Sequence, residues 1–313
     1  MDVLGDFTLS PYAFWDEIGI TIAGRANGTG GSSSSELKEP LDISISTNDI
    51  LYISDKQNHR IVVIPLRADD DKKFFIGPIP DSNVSQFSYP HGVLATNTFL
   101  FVLDYVHHQI KKLSLNGTGA TTVVNGLDWP QYFFVDENMN IYVSDMLVHQ
   151  ILLFHTNLTS GRRVAGSGLK GSGTTQLDKP YGIFVDRNGT IYIADHGNHR
   201  IMKWFSDASE GIRVAGDGTS GPSATQITYP TQILVDTNDY MYISEVGTHR
   251  ITRWGPDSMF GVCIAGCAGG AGNAATQLSG PHSLAFDSEG SLYVSDYGNH
   301  RVQKFQMLRY VSK

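Results

Sequence analysis

The stretch IYIADHGNHRIMKW, residues 191–204, decides the fold. It reads as a strand (191–194), a tight polar turn (195–199) and a second strand (200–204). Ile, Tyr and Trp suit a pleated, buried surface, and Asp, Gly and Asn suit the turn between. One copy would be a hairpin, and the chain carries six. The others begin at Leu51 (LYISDKQNHRIVVI), Leu100 (LFVLDYVHHQIKKL), Ile141 (IYVSDMLVHQILLF), Met241 (MYISEVGTHRITRW) and Leu292 (LYVSDYGNHRVQKF). Their aromatics, Tyr52, Phe101, Tyr142, Tyr192, Tyr242 and Tyr293, recur at steps of 49, 41, 50, 50 and 51 residues. A repeat of that length built from short strands signals a propeller or solenoid.

Two further elements complete the unit. A short strand ends in Ala-Gly at 20–24, 162–166, 212–216 and 262–266, with weaker versions at 74–77 and 121–124. The loop after it ends in proline (Pro40, Pro90, Pro130, Pro180, Pro230, Pro281), and an apolar strand follows. Proline belongs at the mouth of a strand, where no ladder hydrogen bond is lost. Each unit is therefore proline, strand a, turn, strand b, polar turn, strand c and strand d. The expectation is an all-β, six-bladed β-propeller of four-stranded antiparallel blades. The repeats run over about 40–77, 90–124, 130–166, 180–216, 230–266 and 281–308 plus 18–24, so residues 1–313 form a single domain. The chain opens on a d-type strand and ends after a c-type strand. The N-terminal strand is thus expected to complete the last blade and close the ring.

The repeated proline, strand and NHR-I/V turn resemble the NHL-repeat family. NHRI at 58–61 and 198–201 and NHRV at 299–302 are close matches. Blades two and three depart, with Gln109 and Gln150 in place of Arg, and blade five has Glu245 in place of Asp. The resemblance implies the propeller fold. It implies no one function, because NHL proteins include RNA-binding, protein-binding, sensor and enzymatic members.

Composition narrows the function. The 313 residues are 41% hydrophobic and 17% charged, with a net charge of −8, which disfavours RNA binding. No apolar run approaches the length of a membrane helix. The N-terminus lacks the basic start and apolar middle of a signal peptide. Sequons at Asn27, Asn83, Asn116, Asn157 and Asn188 favour an extracellular or secreted setting, with a cytoplasmic one as the alternative. Cys263 and Cys267 lie too far apart for a disulfide in an extended segment, whereas a turn at Ala265-Gly266 permits one; bonded and free thiols both stand.

The six carboxylate–histidine pairs are Asp55/His59, Asp104/His108, Asp145/His149, Asp195/His199, Glu245/His249 and Asp296/His300. One per blade around a ring is a structural device, in which the carboxylate caps turn amides and the imidazole packs between blades. Function is sought where repeats differ. The residue after each proline is expected at the channel mouth: Leu41, His91, Gln131, Tyr181, Thr231 and His282. The Pro-His pairs at His91 and His282 resemble the metal-binding motifs of peptidyl-α-hydroxyglycine α-amidating lyase. The resemblance implies zinc held from alternate blades, yet blade four supplies Tyr181 as the third position. No Asp, Glu or Asn occupies these positions, so the calcium-dependent propeller lactonases fit less well. Tyr105, Trp129, Met146 and Leu147 form a second candidate, an apolar partner-binding patch.

The resulting expectation is a non-catalytic binding scaffold without a cofactor. It is a monomeric domain of a larger chain that presents one loop face to a protein, peptide or glycan. The alternatives are a metal-assisted lyase or hydrolase using His91 and His282, and an RNA-binding NHL domain.

Overall fold

A computed structural model describes residues 7–67, 73–77, 87–156 and 160–308. Six four-stranded antiparallel sheets are arranged around a central channel. Blade one runs a Pro40–Ile45, b Ile50–Asp55, c Arg60–Pro65 and d Phe74–Ile76. Blade two is Pro90–Ala95, Phe99–Asp104, Gln109–Ser114 and Thr121–Val124; blade three is Pro130–Val135, Ile141–Asp145, Gln150–Phe154 and Arg162–Ala165. Blade four comprises Pro180–Val185, Ile191–Asp195, Arg200–Trp204 and Ile212–Ala215; blade five comprises Pro230–Val235, Met241–Glu245, Arg250–Trp254 and Gly261–Ala265. Blade six has Pro281–Phe286, Leu292–Asp296 and Arg301–Phe305, and its fourth strand is the N-terminal Ile20–Gly24. Ile20 pairs with Lys304 and Gly24 with Arg301, so the two chain ends meet in one sheet as the repeat order predicts. Each a strand contacts the a strands on either side, and the sixth contacts the first. Each sheet keeps two edges, strand a turned to the channel and strand d to the outside, and closure pairs the strand c edge of blade six.

Strands b and c are buried on both faces, which explains their near-continuous apolar runs. Leu51, Ile53, Leu100, Val102, Val143, Ile193, Ile243 and Val294 are all fully covered. The polar residues of the repeat solve a different problem, the carbonyls that the d–a loops turn inward. Arg301 is 1% exposed. Its Nε donates to Asp296 at 2.7 Å, and its two terminal nitrogens donate to the carbonyls of Ala26, Asn273, Ala274 and Gln277. Asn299 donates to Asp296 and to the Gly272 carbonyl, and Asp296 accepts the Ser279 amide. Arg60, Arg200 and Arg250 repeat the pattern. One arginine thus satisfies loop carbonyls that burial would leave orphaned.

The repeat histidine ends the b–c turn in the left-handed region, at φ between 52° and 59° in all six blades. In five blades its Nδ1 accepts an amide from the next blade: Tyr89 to His59, Lys179 to His149, Tyr229 to His199, Gly280 to His249 and Glu39 to His300. The last of these crosses the closure. His108 differs, placing its Nδ1 2.7 Å from the Leu127 carbonyl, so that nitrogen must carry the proton. Trp129 stands at the equivalent position before Pro130, but the short loop brings the Leu127 carbonyl to His108 instead. The carboxylate and histidine of each repeat therefore face separate partners, and no acid–base pair forms.

An N-terminal segment precedes the closing strand. Trp15 is buried and donates to the Gly290 carbonyl, Phe14–Trp15 pairs with Met307–Leu308, and Arg253 donates to the carbonyls of Ser10, Pro11 and Ala13. Cys263 and Cys267 are joined in a disulfide with Cα atoms 5.8 Å apart, the turned arrangement of the two that the sequence allowed. The described sequons Asn27, Asn116 and Asn188 sit exposed in turns; Asn83 and Asn157 lie outside the described residues.

Candidate functional site

The a strands bulge directly after their prolines. Register shifts fall between Pro130 and Tyr132, Pro180 and Ile183, Pro230 and Gln232, and Pro281 and Leu284. A bulge re-aims side chains, and here it acts on the post-proline residues. Tyr181 and His282 meet with ring centroids 5.8 Å apart, although they belong to blades four and six. His282 also lies against Tyr297 at 4.7 Å, and Tyr181 against His196 at 5.8 Å. On the other side of the mouth, His91 stacks flat on Tyr105, with centroids 3.9 Å apart and planes 8° apart. Tyr105 then meets Trp129 edge-on at 5.8 Å.

Two sites expected separately are therefore joined. The ring track Trp129–Tyr105–His91 runs from the exposed patch to the channel mouth. Trp129 and Leu147 are about half exposed, while Met146 is partly buried with its amide 3.4 Å from the Trp129 carbonyl. Gln131 is buried and hydrogen-bonds Tyr105. Thr231 is not presented in the same way: its hydroxyl bonds Ser244 at 2.9 Å inside the blade wall. Leu41 is buried, and its carbonyl accepts the Ser295 hydroxyl. Four of the six post-proline side chains thus bear on the mouth. Sequence reasoning missed Tyr297 and His196, which occupy the same b–c turn position as Tyr105. The signal was present, since that position is aromatic in blades two, four and six.

His91 and His282 carry the unusual chemistry. The Nδ1 of each is buried without a hydrogen-bond partner. Burial pushes both imidazoles down to about 3, with smaller pressure from Lys56 on each. Both rings are therefore neutral at any physiological pH, each offering one donor and one acceptor. A catalytic zinc takes three protein ligands. Here Tyr181 holds the third position, and among the described residues no three His, Cys, Asp or Glu side chains converge to hold a metal. These residues do not fit zinc or calcium.

Two positions after the prolines stand Asp42, Gly92, Tyr132, Gly182, Gln232 and Ser283. Asp42 accepts from the Ser283 hydroxyl at 2.6 Å, the Ile43 amide and the Val93 amide, tying blades six, one and two. Burial raises its carboxyl to about 7, against those three bonds. Opposite signs of linkage follow. Each imidazole leaves stability intact above its ordinary value of 6.5 and removes it as pH falls toward 3, because only the unfolded chain takes up the proton. Asp42 costs stability above pH 7, and that cost is relieved as pH falls toward 3.8. In urea titrations between pH 4 and 8, H91Q/H282Q should therefore lose stability less steeply toward acid than the parent. D42N should lose it more steeply. Unchanged slopes would count against this assignment.

At the far end of the channel, among the a–b turns, lies a well of about 250 Å³. The fifth residue of every a strand lines it: Ser44, Leu94, Phe134, Phe184, Leu234 and Ala285. The run was visible in the sequence as four bulky positions and two small ones. Only closure of the ring shows that the two small ones are neighbours.

The NHL repeat model matches residues 177–204 and 278–305, the strand-and-turn units of blades four and six. No curated protein sequence matches the chain. Among solved structures, an auxiliary nutrient binding protein from Bacteroides thetaiotaomicron is 14% identical with a TM-score of 0.70, covering 93% of this chain and 76% of its own. A gluconolactonase from Xanthomonas campestris is 12% identical with a TM-score of 0.62, covering 96% and 99%. Virginiamycin B lyase from Staphylococcus aureus is 14% identical with a TM-score of 0.58, covering 93% and 98%. At such identities the likeness is one of fold. The chain carries NHL repeats and builds from them a six-bladed β-propeller.

Proposed function

We propose that the propeller is a non-catalytic binding module whose d–a and b–c loop face holds an uncharged glycan. The observation that carries this is the ring track from Trp129 through Tyr105 to His91, facing Tyr181, His282 and Tyr297 across the mouth. Aromatic faces give apolar area for a sugar ring, and a few convergent polar groups fix its orientation. Two neutral imidazoles, with Gln131 bonded to Tyr105, suit hydroxyl groups and not a formal charge. The auxiliary nutrient binding protein of similar fold agrees with a binding role. The disulfide and the three exposed sequons support an oxidising, extracellular compartment.

A printed array of neutral oligosaccharides tests the reading. The parent protein should retain a defined subset, and W129D should weaken it at least about tenfold, as expected for a hot-spot aromatic. Equal retention by both proteins would count against the patch. The lyase reading rests on His91 and His282 alone; stoichiometric zinc that is lost in H91A would favour it instead.

A further inference from the structure

The well at the a–b turn end is separate from the mouth. Its walls are Leu94, Phe134, Phe184, Leu234 and Phe286, and it exists because Ser44 and Ala285 are small on the adjoining blades one and six. Its floor is polar. Gln232 reaches across blade four to the hydroxyl of Tyr132 in blade three. That reach depends on Gly182, where a Cβ would stand 2.5 Å from Gln232 Oε1. Gln232 Oε1 already accepts the Ile233 amide at 3.2 Å, so its amide nitrogen is the atom facing Tyr132. The Tyr132 oxygen accepts that bond and keeps its own proton to donate, and burial and the Asp42 charge hold the phenol protonated. The floor therefore presents hydrogen-bond donors at the base of an apolar cup.

We propose that this well is a second ligand site, for a small apolar molecule bearing a carbonyl-type acceptor at one end. The size argument is direct, since an apolar cavity of about 150 Å³ already holds a benzene ring. Water in such a well finds few partners on the walls, so its displacement by an apolar ligand is favourable. The donor floor selects an acceptor, because an oxygen placed there can take the Tyr132 proton while the apolar walls offer none. Phe7 stands at the rim, 5.0 Å from the Phe286 ring, and extends the apolar wall outward.

Acetophenone and ethylbenzene are the probes, with ligand-observed NMR titration as the readout. Both should bind the parent protein, acetophenone about fivefold more tightly, the worth of one net hydrogen bond. Y132F should remove that preference and leave ethylbenzene affinity unchanged. A285F fills the well and should abolish binding of both, while H91A at the opposite mouth should change neither. Circular dichroism and the melting transition establish that each variant is folded. Binding that survives in folded A285F, or no binding of either probe to the parent, overturns the proposal.

Discussion

Removal of residues 1–24 is expected to abolish the cooperative unfolding transition of the propeller, or to lower its stability by at least about 5 kcal/mol. The deletion takes away the fourth strand of blade six and bares the edge of Arg301–Phe305. It removes Trp15, whose burial against Tyr242 and Phe286 alone is worth about 3–5 kcal/mol on truncation. It also leaves Arg253 without the carbonyls of Ser10, Pro11 and Ala13. Ala23 drops out of the cluster it forms with Tyr293 and Val302 between blades six and one. A repeat array that loses one end repeat usually keeps the rest, but a ring that loses its closure leaves two blades unpaired at once. Urea denaturation followed by tryptophan fluorescence reads the effect. An unchanged midpoint and slope would show that the ring closes without this strand.

The second large effect is expected at Arg301. R301M should cost about 3–5 kcal/mol, because it leaves the fully buried Asp296 carboxylate without its cation. The four loop carbonyls that Arg301 serves would lose their donors as well. R301K should recover little of this, since an ammonium cannot fork to one carboxylate and four carbonyls together. Blade two shows what the alternative looks like. There Gln109 replaces Arg, and Asp104 instead takes His107 at 2.8 Å and Lys111 at 3.6 Å. Gln109 itself donates to Asp104 at 3.3 Å, so three side chains share the work that one arginine does in blade six. Accordingly, Q109A should cost far less than R301M in the same urea assay, and an equal cost would contradict this division of roles.

The fold was legible because its determinants repeat. The proline, an aromatic three residues before a carboxylate, and the turn histidine recur six times, and each has a local physical job that one copy already reveals. The closure was legible for the same reason: a lone d-type strand at one end matches a missing d strand at the other. The site was only half legible. His91, Tyr181 and His282 could be named from their place after proline, but not the stacking of His91 on Tyr105, which joins mouth and patch. Thr231 shared the same position and yet turned its hydroxyl into the wall, because Ser244 stands within 2.9 Å of it. The far well was hidden altogether. It depends on blades one and six being neighbours, and on Gln232 crossing over Gly182 to Tyr132, neither of which has a local sequence signature.

The central claim is that the mouth binds without performing chemistry. Calorimetric titration of the parent protein with the best-retained neutral glycan tests it most directly, with Y105A measured alongside and the glycan recovered afterwards. The account predicts one site per chain, an affinity at least about tenfold weaker in Y105A, and a glycan recovered intact. Equal affinity in the two proteins, or a glycan recovered cleaved, would contradict it.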